Sequence, residues 1–504
     1  MARQLNVKSV GLIGGIAAAL AVLLFADLEP GNTAVTRTAA VAVLMAVWWV
    51  TEAIPIPATA LLPVVLFPLL GIMKGKSVAP IYFNHVIFLF IGGFIVALAM
   101  QKWNLHKRIA LRIILLIGTS PKRIILGFMV ATWFLSMWIS NTATTMMMVP
   151  MAVAIILKLR ETFGREAVSR FAVGLLLGIA YSASVGGTAT LIGTPPNLAF
   201  ARIYQIYFPD APEISFAAWL LFALPFAFIF LIIVWGLIVR LFVWRQPEFR
   251  AERSVFRDEY RQLGRISYEE RSVLVLFILL AALWMFRADI DIGAFTIPGW
   301  SNLLPTPEFI DDGTIAVAIA TLLFLIPSRS RQGRLMDWET ATQVHWGIVH
   351  LFGGGFALAS GFRESGLSEW LGVQLTGLSG FPPLLLVASV CLLITFLTEL
   401  TSNTATTQMV LPILGSLAAS IHVHPLLLMI PATLSASCAF MLPVATPPNA
   451  IVFGTGDVRM SHMMRTGIFL NLIGVVLVTS AIYLVGRFVF GFDPGQFPDW
   501  AVMR

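Results

Sequence analysis

Charge is scarce in this chain. Of 504 residues only 12% are Asp, Glu, Lys or Arg, 58% are apolar, and the mean hydropathy is +0.87. A soluble globular domain carries roughly 25% charged residues, so a solvated enzyme or scaffold is excluded. Nothing resembles a large soluble domain; the longest charged stretch runs only from Arg245 to Arg271. Cysteine is nearly absent. Cys391 and Cys438 both lie in apolar runs, and without Cys or His neighbours at ligand spacing they read neither as disulfide partners nor as metal ligands. There is no phosphate-binding loop, which removes ATP as the evident energy source, and no nucleophile elbow or metal-protease helix. The first apolar run, 10–26, lacks a small-residue cleavage site followed by polar sequence and reads as a retained span.

What is present is a repeat. Ser-Asn-Thr-Ala-Thr-Thr occurs at 140–145 and again at 402–407, and eight of the eleven residues from Ser140 to Pro150 match Ser402 to Pro412. A second pair follows: Gly193-Thr194-Pro195-Pro196-Asn197 and Ala445-Thr446-Pro447-Pro448-Asn449. A third, Gly92-Gly93-Phe94 and Gly354-Gly355-Phe356, has the same 262-residue offset as the first. Matched motifs of this kind mark an internal repeat.

A bilayer core takes roughly 20 apolar residues per helix. Runs of suitable length lie at 9–26, 34–51, 56–73, 81–101, 168–204, 216–244, 271–288, 312–327, 344–362, 425–456 and 466–491, giving eleven crossings. Two further segments, 122–157 and 382–419, hold the Ser-Asn-Thr copies near their middles. Each is too long for one crossing and has the length of a hairpin that enters and returns to the same side.

Charge supports this count. With the N-terminus inside, the inner segments hold 25 of the 33 Lys and Arg, eight of them between Arg240 and Arg271. The outer segments carry Asp27, Glu29, Asp210, Glu213 and the acidic stretch from Asp289 to Asp312. That asymmetry is the positive-inside pattern. It accounts for the net charge of +7 without a nucleic-acid partner, leaving a secondary attraction to anionic lipid. The predicted organisation is an N-terminal segment with the first span (1–33), a first inverted repeat (34–244), a basic cytoplasmic loop (245–270), a second inverted repeat (271–491) and an extracytoplasmic C-terminus (492–504). The fold class is an all-α integral membrane protein of eleven helices and two re-entrant hairpins, the arrangement of secondary transporters.

Each motif has a bland reading and a functional one. Ser, Asn and Thr favour turns and helix N-caps; a hairpin tip made of them offers unwound carbonyls to a cation, and amides with a helix dipole to an anion. Alternatively they are polar glue between helices. Adjacent prolines break a helix, and the two Thr-Pro-Pro-Asn runs should divide spans 168–204 and 425–456 into half-helices, with Gly186 and Gly187 or Pro443 upstream of the break. The Gly-Gly pairs read as close helix packing. Glu399 precedes Ser402 by three residues and is matched by Met137 in the first copy, so it lies outside the symmetric design and reads as structural or tuning. His85, His345 and His350 stand near span starts without ligand partners and read as ordinary packed residues.

At these motifs the chain resembles the divalent anion/sodium symporter family, carriers of di- and tricarboxylates and of sulfate. The resemblance runs from the second span to the end, and Glu399 to Thr407 is especially like the carboxylate-transporting members. It implies a homodimer in which a transport domain, made of both hairpins and both broken spans, moves as an elevator against a static scaffold. It places a first Na+ site on Ser136, Ser140, Asn141 and Gly193, and a second on Thr398, Thr401, Asn403 and Ala445. It places substrate contacts on Asn141, Thr142, Thr194, Pro195, Asn403, Thr404, Thr446 and Pro447. The resulting expectation is Na+-coupled symport of C4 dicarboxylates such as succinate, malate and fumarate, with no organic cofactor. A sodium-independent exchanger and a citrate or sulfate symporter share these motifs. An anion channel is the rival of another class, and an intramembrane enzyme finds no catalytic group in the repeats.

Overall fold

The computed structural model describes residues 2–244, 253–291, 296–330 and 332–502. Part of the expected basic loop (245–252, with Arg245 and Arg250), Arg331 and the last two residues lie outside the described residues.

Helices occupy all eleven expected spans and both hairpins. Seven stretches among the described residues are long and apolar enough to cross a membrane: Val7–Phe25, Thr33–Thr51, Gly75–Lys102, Asn141–Phe163, Arg165–Gly187, Phe216–Val243 and Met460–Val489. Of the other expected spans, 271–288 and 344–362 are single helices, Tyr268–Met285 and Trp346–Ser365, 312–327 is a shorter one, Asp312–Leu325, and 56–73 and 425–456 are divided. The expected 56–73 span is two short helices, Ile56–Thr59 and Leu62–Leu69, because Pro55, Pro57, Pro63 and Pro68 remove donors along it. One addition to the all-α expectation is a two-stranded antiparallel ribbon, Ile290–Asp291 with Thr296–Ile297, in the acidic 289–311 segment.

The inverted-repeat reading gains detail here. The hairpin arms are Pro121–Ser136 with Asn141–Phe163, and Pro383–Thr398 with Asn403–Ser420. The first three of these four boundaries recur at an offset of 262: 121 to 383, 136 to 398, 141 to 403. A short helix precedes each hairpin, Leu105–Ile117 and Leu367–Leu375, again 262 apart at their starts. The corner leading into it is built on a left-handed residue in both copies, Asn104 at φ 55° and Gly366 at φ 85°. Asn and Gly are the residues that enter this region at least cost.

Ion pairs join segments that the eleven-crossing count puts on one side. Lys102 pairs with Asp337, Arg108 with Glu270 at 2.9 Å, and Arg160 with Asp457, all among the expected inner segments. Lys102 donates to Asp337 and holds its carboxyl down to about 2. On the opposite side, Arg287 is buried and bridges Asp312 at 2.6 Å and Glu213 at 3.1 Å. Asp312 also accepts from the Phe216 amide, so one acidic cluster ties three elements together.

The Gly-Gly-Phe pairs are packing devices, as expected, and their two glycines differ. A Cβ on Gly92 would meet the Ala316 backbone, and one on Gly354 the Ala60 backbone. The second glycines face the motif elements: Gly93 lies against Ile192, and Gly355 against the Gln408 side chain.

Candidate functional site

Each hairpin tip is a four-residue turn, 137–140 or 399–402, seated against a span that breaks beside it. The first broken span is Arg165–Gly187 and Pro195–Tyr207; the second is Pro425–Ala436 and Pro447–Gly454. The prolines occupy the first helical positions of the returning halves, Pro195 and Pro447, where a missing N–H costs nothing. Gly186 and Gly187 are the last two residues of the first half-helix, directly upstream of the break. They form the seat of the hairpin. A Cβ on Gly186 would strike the Trp133 backbone, and one on Gly187 would lie 2.5 Å from Asn141 Oδ1.

The geometry at the two tips is the same. In the first, Ser136 Oγ lies between Asn141 Oδ1 and the Ala183 carbonyl, the latter at 2.8 Å. In the second, Thr398 Oγ1 lies between Asn403 Oδ1 at 2.7 Å and the Ala436 carbonyl at 2.9 Å. A single hydroxyl proton serves one of each pair of acceptors, so each tip concentrates uncharged oxygens. Thr145 and Thr407 return their hydroxyls to the Asn141 and Asn403 carbonyls at 2.8 Å, locking the first turns. Ser140 and Ser402 occupy the N-cap positions, yet neither side chain caps its helix. The first-turn amides of both returning arms therefore remain uncapped, and a helix N-terminus in that state favours an anion.

The loops are held by matched asparagines. Asn197 Nδ2 donates to the carbonyls of Thr190 at 2.7 Å and of Gly187 and Thr188 at 3.3 Å. Asn449 Nδ2 donates to Ala439 at 3.1 Å and Leu442 at 3.0 Å. Both asparagines are fully buried. The last residue of each Thr-Pro-Pro-Asn motif is thus a staple across the unwound loop. Sequence reasoning quoted it without a role, and its repetition at both loops was the available signal.

The loops attach to the tips by different chemistry. In the first copy the Thr190 hydroxyl donates to the Met137 carbonyl. In the second, Glu399 accepts from the amides of Phe440, Met441 and Leu442 and from Asn471 Nδ2. Asn471 lies on Met460–Ala481, remote in sequence, and no motif pointed to it.

The expected site residues fall into these two clusters. Ser136, Gly193 and Thr194 are buried around the first tip, with Ser140, Asn141, Thr142 and Pro195 half-buried. Thr398, Thr401, Thr404, Ala445 and Thr446 are buried around the second, Asn403 is half-buried and Pro447 exposed. The Thr401 hydroxyl donates to Leu397 O at 3.0 Å and lies against the Thr406 hydroxyl. The two clusters interlock. The arm Asn141–Phe163 packs on Pro447–Gly454, and Asn403–Ser420 on Pro195–Tyr207, each hairpin against the other repeat's broken span.

Paired polar hairpins and broken helices inside an apolar bundle define a membrane transporter. Solved structures share the fold: Neisseria gonorrhoeae MtrF, whose description speaks of a class of antimetabolite efflux pumps, and the Alcanivorax borkumensis YdaH transporter. Each superposes with a TM-score of 0.57 at 14% identity, over 93% and 90% of this chain and 98% and 99% of theirs. The family model "Sodium:sulfate symporter transmembrane region" matches residues 7–492, and the chain belongs to that family. Among curated relatives, a Staphylococcus saprophyticus protein named sodium-dependent dicarboxylate transporter SdcS is 44% identical over 97% of this chain and 93% of its own length. Its Staphylococcus aureus namesake is 43% identical over the same shares.

Proposed function

We propose that this chain carries C4 dicarboxylates such as succinate, malate and fumarate into the cell together with Na+. The observation that carries the reading is the pair of matched oxygen clusters at the hairpin tips, which contain no Lys or Arg. A dianion beside them needs compensating charge, because burying an unpaired charge is costly. Na+ held by hydroxyls, amide oxygens and backbone carbonyls supplies it. The first ion takes Ser136, Ser140, Asn141 and Gly193; the second takes Thr398, Thr401, Asn403 and Ala445. The substrate carboxylates take Asn141, Thr142, Thr194 and Pro195 from one side and Asn403, Thr404, Thr446 and Pro447 from the other. Relatives named as sodium-dependent dicarboxylate transporters, 43–44% identical across 97% of the chain, favour dicarboxylate over the sulfate of the family description.

The protein works as a homodimer in the cytoplasmic membrane, N-terminus inside and C-terminus outside. Both hairpins and both broken spans move as one elevator body. The test is uptake of labelled succinate into proteoliposomes, with and without Na+, against a panel of unlabelled malate, fumarate, citrate and sulfate. Uptake that needs inward Na+ and is competed by the C4 acids supports the reading. Undiminished uptake in choline, accelerated by succinate preloaded inside, assigns an exchanger instead; single-channel steps assign a channel.

A further inference from the structure

We propose that Glu399 is a positioning residue for the second ion site, which it serves by holding one turn of the second broken span unwound. The inference rests on the symport reading for its consequence, and on geometry for its cause.

The two broken spans differ by one turn. Asn197 and Asn449 lie 252 apart, so Gly187, the last residue of the first half-helix, corresponds to Ala439. In the first copy the helix reaches Gly187, and the next amides continue into turns, Thr188 N to Val185 O and Ala189 N to Gly186 O. In the second copy the helix stops at Ala436, three residues earlier on that scale. Ser437 N and Cys438 N continue into the same kind of turns, to Leu434 O and Ser435 O, and beyond those turns come the amides of Phe440, Met441 and Leu442.

Glu399 takes all three. Oε1 accepts from Phe440 N at 2.8 Å, Met441 N at 2.9 Å and Asn471 Nδ2 at 2.8 Å, and Oε2 accepts from Leu442 N at 3.0 Å. Three successive backbone amides around one anionic group form a nest. The four partners are neutral, and the carboxylate is 3% exposed, so the nest is filled from inside the protein.

The consequence lies at Ala436. In a continuing α-helix Phe440 N would donate to Ala436 O, four residues back. With that amide given to Glu399, the Ala436 carbonyl is left to Thr398 Oγ1 at 2.9 Å, and the same hydroxyl touches Asn403 Oδ1 at 2.7 Å. At the first tip Ser136 Oγ makes the matching contact to Ala183 O within a helix that continues to Gly187, so the contact itself needs no unwound turn. What Glu399 adds at the second tip is an Ala436 carbonyl released from the helical hydrogen bond beside Thr398 and Asn403. Met137, its counterpart, stands beside a first half-helix that runs three residues further on that scale, and only its carbonyl is tied to the loop, by the Thr190 hydroxyl.

The test compares Glu399→Gln with wild type in two measurements. Gln keeps an oxygen for Phe440, Met441 and Asn471, but turns an NH2 towards Leu442 N. The first measurement is hydrogen exchange at amides 440–442 in detergent, which needs neither Na+ nor transport. The second is the Na+ concentration for half-maximal succinate uptake, read alongside Vmax. Faster exchange at 440–442, together with a roughly 10-fold rise in half-saturating Na+ and a Vmax within about twofold, supports the proposal. Faster exchange with unchanged Na+ and succinate half-saturation overturns it, leaving a fold-only clamp; unchanged exchange also overturns it. Should Glu399→Gln not fold, Asn471→Ala removes one of the four donors and carries the same test with a shift of roughly 2- to 10-fold. Wild-type uptake indifferent to Na+ would instead sink the symport reading, and the exchange data with the succinate half-saturation would still judge Glu399.

Discussion

Asn141 and Asn403 each stand at the start of a returning hairpin arm with Oδ1 against the hydroxyl of Ser136 or Thr398. Under the proposed function each amide orients a tip that binds an ion and an anion at once. Loss of a hydrogen bond to a charged group costs about 1.5–3 kcal/mol, or roughly 10- to 150-fold in affinity. Asn141→Ala and Asn403→Ala should therefore each cut succinate uptake by at least that factor while the protein still elutes as a folded species. Near-normal uptake in both would reduce the tips to interhelical glue. Asn197 and Asn449 make a different prediction. Each removal leaves buried loop carbonyls unpaired, at about 1–3 kcal/mol. Asn197→Ala and Asn449→Ala should lower the unfolding temperature in detergent as well as activity, whereas Asn141→Ala should leave that temperature nearly unchanged.

The repeats place equivalent elements at equivalent positions and then let the sequence vary their contacts. The Gly-Gly pairs show how little room that leaves. A methyl on Gly92 would sit 2.5 Å from the Ala316 carbonyl carbon, and one on Gly354 would collide with Ala60. Backbone cannot retreat as a flexible side chain can, so overpacking of this kind costs about 1–3 kcal/mol or more. Gly92→Ala and Gly354→Ala should both lower thermal stability. Gly236→Ala, where an added methyl meets nothing within 4 Å, is the control and should not. Equal behaviour of all three would mean that the Gly92 and Gly354 helices are not in contact as described.

For the whole molecule, sidedness, motion and coupling make separable predictions. A cysteine in the 245–271 loop should react only from the cytoplasmic side and one near His422 only from outside; labelling of both from one side would break the odd crossing number. The proposed elevator motion would require Asn403–Ser420 to slide past Trp346–Ser365, where Gln408 Cβ lies 2.8 Å from the position of a Gly355 Cβ. Disulfides need a Cβ separation of about 3.5–4.5 Å, which a small shift provides. The pair Gly355→Cys and Gln408→Cys should cross-link under mild oxidation and stop uptake until reduced. Continued uptake while cross-linked would place both helices in one rigid body. Coupling follows from linkage: dicarboxylate affinity should rise with Na+ by the factor by which Na+ affinity rises with dicarboxylate. Uptake should be sigmoidal in Na+, and electrogenic if three or more ions accompany each dianion.

The sequence by itself determined the membrane class, the number of apolar spans, the two hairpins and the two breaks. Lipid-facing helices must be apolar along their length, and adjacent prolines cannot continue a helix, so these features are written locally. The Ser-Asn-Thr tips were legible because polar residues inside such runs stand out, and the individual ion and substrate contacts proposed for them rest on family resemblance. Tertiary structure decided what spacing does not encode: that Gly186 and Gly187 seat a hairpin, and that Asn197 and Asn449 staple loops. It also decided that each hairpin packs on the other repeat's broken span. Glu399 shows the division most clearly. Its departure from the repeat was visible as Met137 against Glu399. Its purpose depends on three amides some forty residues away and on Asn471 beyond them, and only the folded chain brings those donors to one carboxylate.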